Sequence, residues 1–83
     1  MITIRSATEL AIQLQRRDDR IRRVVADLAI PPGVDADDSV QVAQWRRLRI
    51  DAMTAQQSRS VDDWLAYRDT RARFVARYGE VAW

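Results

Sequence analysis

Three pairs of adjacent carboxylates, Asp18-Asp19, Asp37-Asp38 and Asp62-Asp63, carry the kind of group that holds metal ions or moves protons. Their spacing argues against both uses. Neighbours on a helix diverge by about 100°, so the two acids of a pair do not converge on one ion. The second and third pairs also stand where helices should begin, and there a carboxylate caps free N–H groups and complements the helix dipole. The sequence has neither cysteine nor histidine. It thus lacks the thiolate nucleophile, the commonest general base and the commonest metal ligand. No glycine-rich phosphate loop, nucleophile elbow or metal motif occurs. The expectation is a protein with no catalytic activity, metal or cofactor.

The groups that remain are suited to recognition. The closing stretch, Ser60 to Trp83, sets Trp64, Tyr67, Phe74, Tyr78 and Trp83 among Arg68, Arg71, Arg73 and Arg77. Tryptophan, tyrosine and arginine concentrate binding energy at interfaces. Large aromatic rings also build the cores of small domains. Which role applies depends on the elements that position them.

Three amphipathic helices account for most of the chain, and a single domain is expected over residues 1–83. Met1–Arg5 alternates apolar and polar residues, a short strand signal. Ser6-Ala7-Thr8-Glu9 then has the form of a capping box and opens a helix over about 7–30. Pro31-Pro32-Gly33 ends it. The acids of Asp35–Asp38 start a second helix, over about 37–56. Ser60-Val61-Asp62-Asp63 caps a third, over about 61–78, with Gly79 placed as its C-terminal cap. The fold class is all-α: a small three-helix bundle with short extended segments at both ends.

The helix faces sharpen the candidates. Leu10, Leu14, Ile21, Val24, Val25 and Leu28 form one stripe on the first helix, interrupted by Arg17 and Asp18. Its opposite face mixes Arg16, Asp19, Arg20, Arg23 and Asp27, the pattern of a solvated, salt-bridged surface. The second helix is apolar over a wide arc. Trp45, Leu48, Ala52 and Ala55 make one side, and Val42, Ile50 and Met53 a second, beside Arg46 and Arg49. Either this helix is central in the bundle or its second side meets another chain. The third helix carries an aliphatic stripe, Val61, Leu65, Ala72 and Val75, next to the aromatic one. Most of the aromatics are expected to be core, because a small three-helix domain needs large side chains to reach stability. Arg68 and Arg71 fall within that arc and are expected to meet an acid on another helix, with Asp18 the first candidate, or else to serve a partner.

Composition bounds the function classes. All fourteen basic residues are arginine, and lysine and asparagine are absent. Their codons are AT-rich, so a GC-rich coding genome accounts for the skew. Twelve acids leave a net charge of only +2. No apolar run approaches the roughly 18 residues that span a bilayer, and Met1–Arg5 does not resemble a signal peptide. The expected setting is cytoplasmic, with no membrane contact. A chain of 83 residues buries a thin core, which favours a homo-oligomer or a complex.

Two functional readings follow. The first is a protein-interaction module using Val42, Arg46, Arg49, Ile50, Met53, Trp64, Tyr67, Arg68, Arg71 and Trp83. The alternative is a small basic helix-turn-helix-like regulator that binds nucleic acid through Arg68, Arg71, Arg73 and Arg77. The residues "DDWLAYRDTRARF" and "EVAW", preceded by the helix "RRLRIDA", bear on the choice. Over Arg46–Trp83 they resemble the C-terminal part of tailed-phage tail-fibre and tail-assembly chaperones. Trp64, Tyr67, Arg68, Arg71, Val81 and Trp83 are the matching residues. The resemblance implies binding of a virion, tail or host protein inside a bacterial cell, without catalysis. It leaves Met1–Val34 unaccounted for, and the terminal proline of that family is absent here.

Overall fold

The computed structural model describes residues 4–80, with side chains from residue 7 onward. These residues form three helices and no strand: α1 (Ile4–Asp27), α2 (Ser39–Ser58) and α3 (Val61–Tyr78). The fold is a small all-α, three-helix bundle. None of the three helices is long and apolar enough to cross a membrane.

The helix boundaries have local causes. α1 starts at least two residues upstream of Ser6, which is therefore inside the helix and not its cap. No proline or glycine precedes Ser6 to stop the helix from propagating that way. Ile4 and Arg5 are helical, so the expected N-terminal strand does not exist there, and residues 1–3 lie outside the described residues. At its other end α1 stops at Asp27, three residues short of the expected limit. Pro31 forces Ile30 out of the helical region, and the last turn tightens through a Leu28 N–H bond to the Val25 carbonyl at 3.1 Å.

Asp38 caps α2, its carboxylate accepting from the N–H groups of Val40 and Gln41, both at 3.1 Å. α2 runs through Gln57 and Ser58, two residues beyond the sequence limit, and leaves only Arg59 and Ser60 as a connector. Arg59 adopts the left-handed conformation (φ 53°) and donates its N–H to the Ala55 carbonyl. Ser60 caps α3 by accepting from the Asp63 N–H. Gly79 closes α3 at φ 84°, a backbone region glycine enters without penalty.

α2 is the central element. α1 and α3 both pack on it and, among the described residues, not on each other. The core cluster is Val34, Val42, Trp45, Leu48 and Phe74, flanked by Leu28, Ile30, Tyr67 and Tyr78. Val34 comes from the connector between α1 and α2 and is buried there by a turn in which its N–H bonds the Pro31 carbonyl. The breadth of the apolar arc on α2 follows from this arrangement: a helix covered from two sides needs two apolar sides.

Candidate functional site

The two stripes of α3 do not share one fate. Phe74 is buried, and Tyr67 and Tyr78 are half-buried against the core, with the Phe74 and Tyr78 rings 5.0 Å apart. The aromatic stripe is therefore the one that faces α2. Of the aliphatic stripe, Val61, Leu65 and Ala72 are exposed and Val75 is half-buried. The reason is geometric. At about 100° per residue the two stripes together span half the helix, while among the described helices only α2 packs on α3.

Trp64 sits at the boundary between these faces. It is 51% exposed, and its ring tilts against Tyr67 at 5.5 Å. Together with Arg68, Arg71, Ala72, Val75 and Ala76 the two rings line an open groove. Val61 and Leu65, 71% and 51% exposed, lie beside it on the same helix. The result is an apolar surface with two guanidinium groups in it. Arg68 is exposed. Arg71 pairs with Glu80 at 3.6 Å, an exposed carboxylate just past the end of its own helix. The expected acid from another helix is thus not its partner: Asp18 sits beside Arg17 on α1, which does not reach α3.

The inner edge of α3 holds a polar contact that joins it to α2. The Thr70 hydroxyl donates to the Asp51 carboxylate at 2.7 Å and also lies 2.9 Å from the Ala66 carbonyl. Arg47, one turn before Asp51, approaches the same carboxylate at 3.3 Å. Asp51 is only 13% exposed, so these two partners replace most of its water. A groove of about 480 Å³ opens here, bordered by Arg47, Asp51, Thr70, Phe74 and the Asp69–Arg73 ion pair at 2.9 Å. Four of its charged groups form ion pairs within the chain, Arg47 with Asp51 and Asp69 with Arg73, and the fifth, Arg77, lies over the Tyr78 ring, which makes it largely a structural seam. Nothing in the sequence singled out Thr70, because a threonine in a helix is usually bonded to its own backbone.

The residues expected on the second side of α2 are placed differently. Val42 is buried in the core and offers nothing to a partner, which corrects its assignment as a binding residue. Arg46, Arg49, Ile50 and Met53 are half-buried. The Nε atoms of Arg46 and Arg17, the Trp45 indole N–H and the Tyr78 hydroxyl are buried without a hydrogen-bond partner among the described residues. Trp83 lies outside the described residues. The structure thus brings Trp64, Tyr67, Arg68 and Arg71 together on one surface and leaves Val42, Ile50 and Met53 apart from it.

Two of the three acid pairs have local roles. Asp38 caps α2, Asp35 accepts from the Asp37 N–H at 3.0 Å, and Asp62 and Asp63 occupy the first turn of α3. Comparison with known protein families, characterised proteins and solved structures finds no match.

Proposed function

We propose that this chain is a non-enzymatic helical protein-interaction module whose binding surface is the outward face of α3. The observation that carries the reading is the exposure of Val61, Trp64 and Leu65 beside Arg68 and Arg71. A helix face that combines a half-exposed indole, aliphatic side chains and arginine has the composition of an interface centre. The partner it suits is a protein with an apolar helix or groove bordered by acidic side chains, which would meet the two guanidinium groups.

The resemblance to tail-assembly chaperones supports the same surface. Four of its six matching residues, Trp64, Tyr67, Arg68 and Arg71, line the groove, and the other two, Val81 and Trp83, lie outside the described residues. The role it implies is that of a phage assembly chaperone, or a small phage protein that docks on a virion, tail or host protein in the bacterial cytoplasm.

Co-expression with the tail-fibre and tape-measure proteins of the same genome tests this. The wild-type chain should co-purify with one of them. Trp64→Ala and Arg68→Glu should lose that partner while keeping the wild-type melting temperature. The competing reading is nucleic-acid binding through the arginines of α3. It is favoured instead if the chain binds duplex DNA at about 150 mM salt with a steep loss as salt rises. Two observations weigh against it: Arg71 and Arg73 are each paired with an acid, and α3 opens with Asp62 and Asp63, which repel phosphate.

A further inference from the structure

The outward side of α1 carries a row of arginines. Arg16, Arg20 and Arg23 stand one turn apart, within about 60° of arc and about 10.5 Å of helix. With Gln13 they line one open groove, and all four residues are exposed. The row lies opposite Ile21 and Val25, which are buried on the side of α1 that meets α2. The positive charge of the molecule collects here. Residues 16–23 hold five arginines against two aspartates, a local charge of +3 in a chain whose total is +2.

The sequence pattern predicts a salt-bridged face here. In the structure Arg16, Asp19, Arg20, Arg23 and Asp27 form no ion pair among the described residues, whereas Arg47, Arg71 and Arg73 each hold an acid. A phosphate arriving at the row therefore displaces no carboxylate. Asp19 stands beside the row, and Glu9 and Asp27 lie on the same arc before and beyond it. These acids confine the attraction to the three arginines. The surroundings decide the class of anion. No apolar side chain lines the groove, whereas the centre of a protein interface is depleted of charge. α1 has no aromatic ring on which an unpaired base could stack. The exposed Leu14 projects from the opposite side, so laying that side on lipid would hold the row away from the headgroups.

We propose that the row of Arg16, Arg20 and Arg23 binds the phosphate backbone of duplex nucleic acid without reading its sequence. Arginine matches the geometry of phosphate with two parallel hydrogen bonds, and Gln13 donates to a phosphate or sugar oxygen beside them. Phosphates of one strand follow each other at about 3.4 Å of rise, so the row is long enough to meet three of them. Every residue from Ala7 to Arg16 is exposed, so the rest of the molecule leaves this side of α1 room to lie along a groove edge. The inference rests on α1 alone. With the α3 surface it makes the chain a link between a protein and nucleic acid.

Fluorescence anisotropy of the full chain with a labelled duplex of about 20 base pairs tests it. At about 50 mM salt the chain should bind with micromolar affinity, and equally to duplexes of unrelated sequence. Three phosphate contacts give a slope of about −2.7 in log K against log salt, so affinity should fall roughly 20-fold between about 50 and 150 mM. R16Q/R20Q/R23Q changes only exposed side chains and should keep the wild-type melting temperature. It should bind at least about tenfold more weakly, with a flattened slope. R68Q/R71Q/R77Q removes the same net charge from α3 and should bind like the wild type. A wild type that does not bind at about 50 mM salt overturns the proposal. So does an equal loss in both triple variants, which would mark a response to net charge alone. A loss confined to R68Q/R71Q/R77Q overturns it as well, and would put anion binding on α3. Tighter binding of the α1 arginines to vesicles containing phosphatidylserine would also overturn it and make a lipid surface the partner.

Discussion

At Asp51 a carboxylate that would be costly to bury alone is held by two groups from different places. Thr70 reaches it across the α2–α3 interface at 2.7 Å, and Arg47 reaches it along α2 at 3.3 Å. Hydrogen bonds to a charged group are worth more than neutral ones, and an acceptor that loses its donor keeps its desolvation cost. Thr70→Val preserves the shape of the side chain and removes only the hydroxyl. It should lower stability by about 1–2 kcal/mol, read as a shift of the urea midpoint at unchanged slope. Thr70→Ser restores the donor and should return most of the loss. If Thr70→Val unfolds at the wild-type midpoint, the contact contributes nothing and α2 and α3 are joined by apolar packing alone.

At the scale of the element, α3 shows which part of the fold was legible in the sequence. Its ends were, because Ser60 and Gly79 are residues whose chemistry fits those positions and few others. Its inward direction was legible in part: most of the aromatics were expected as core, and Phe74, Tyr67 and Tyr78 pack there, but the exposure of Trp64 and of the aliphatic stripe follows from the number of neighbours, which periodicity does not contain. The same limit hid the true role of Val42, since a wide apolar arc fits both a central helix and a helix at an interface. It also hid Val34, which no helical period could place. Arg68, Arg71, Trp64 and Tyr67 could be grouped from the sequence because one helix fixes their relative directions, whatever it packs against. The two faces of α3 should respond differently to truncation. Phe74→Ala leaves a cavity in the core and should cost about 3–5 kcal/mol. That is a large share of the stability of so small a domain, so the variant should be largely unfolded at room temperature. Leu65→Ala removes a side chain that is 51% exposed and should stay within about 0.5 kcal/mol of the wild type. Equal losses at both positions would mean that the aliphatic stripe is covered in solution.

At the scale of the molecule the chain is long for its size. Its radius of gyration is 15.1 Å and its extents are 49 × 24 × 18 Å, whereas a compact domain of this length has a radius of about 12 Å. The length comes with an uneven distribution of burial. α2 holds six of the buried residues, Gln41, Val42, Trp45, Leu48, Ala52 and Ala55, while among the described side chains of α1 only Ile21 and Val25 are buried. Helices of this length owe most of their stability to tertiary packing, not to intrinsic propensity. Protection from amide hydrogen exchange should therefore be graded along the fold. Amides near Leu48 should open only with global unfolding. Those over residues 8–16 should exchange fastest of the helical amides when the protein is dilute, because no side chain of the same molecule covers them. Slow exchange over residues 8–16 at high dilution would show that stretch covered within a single chain.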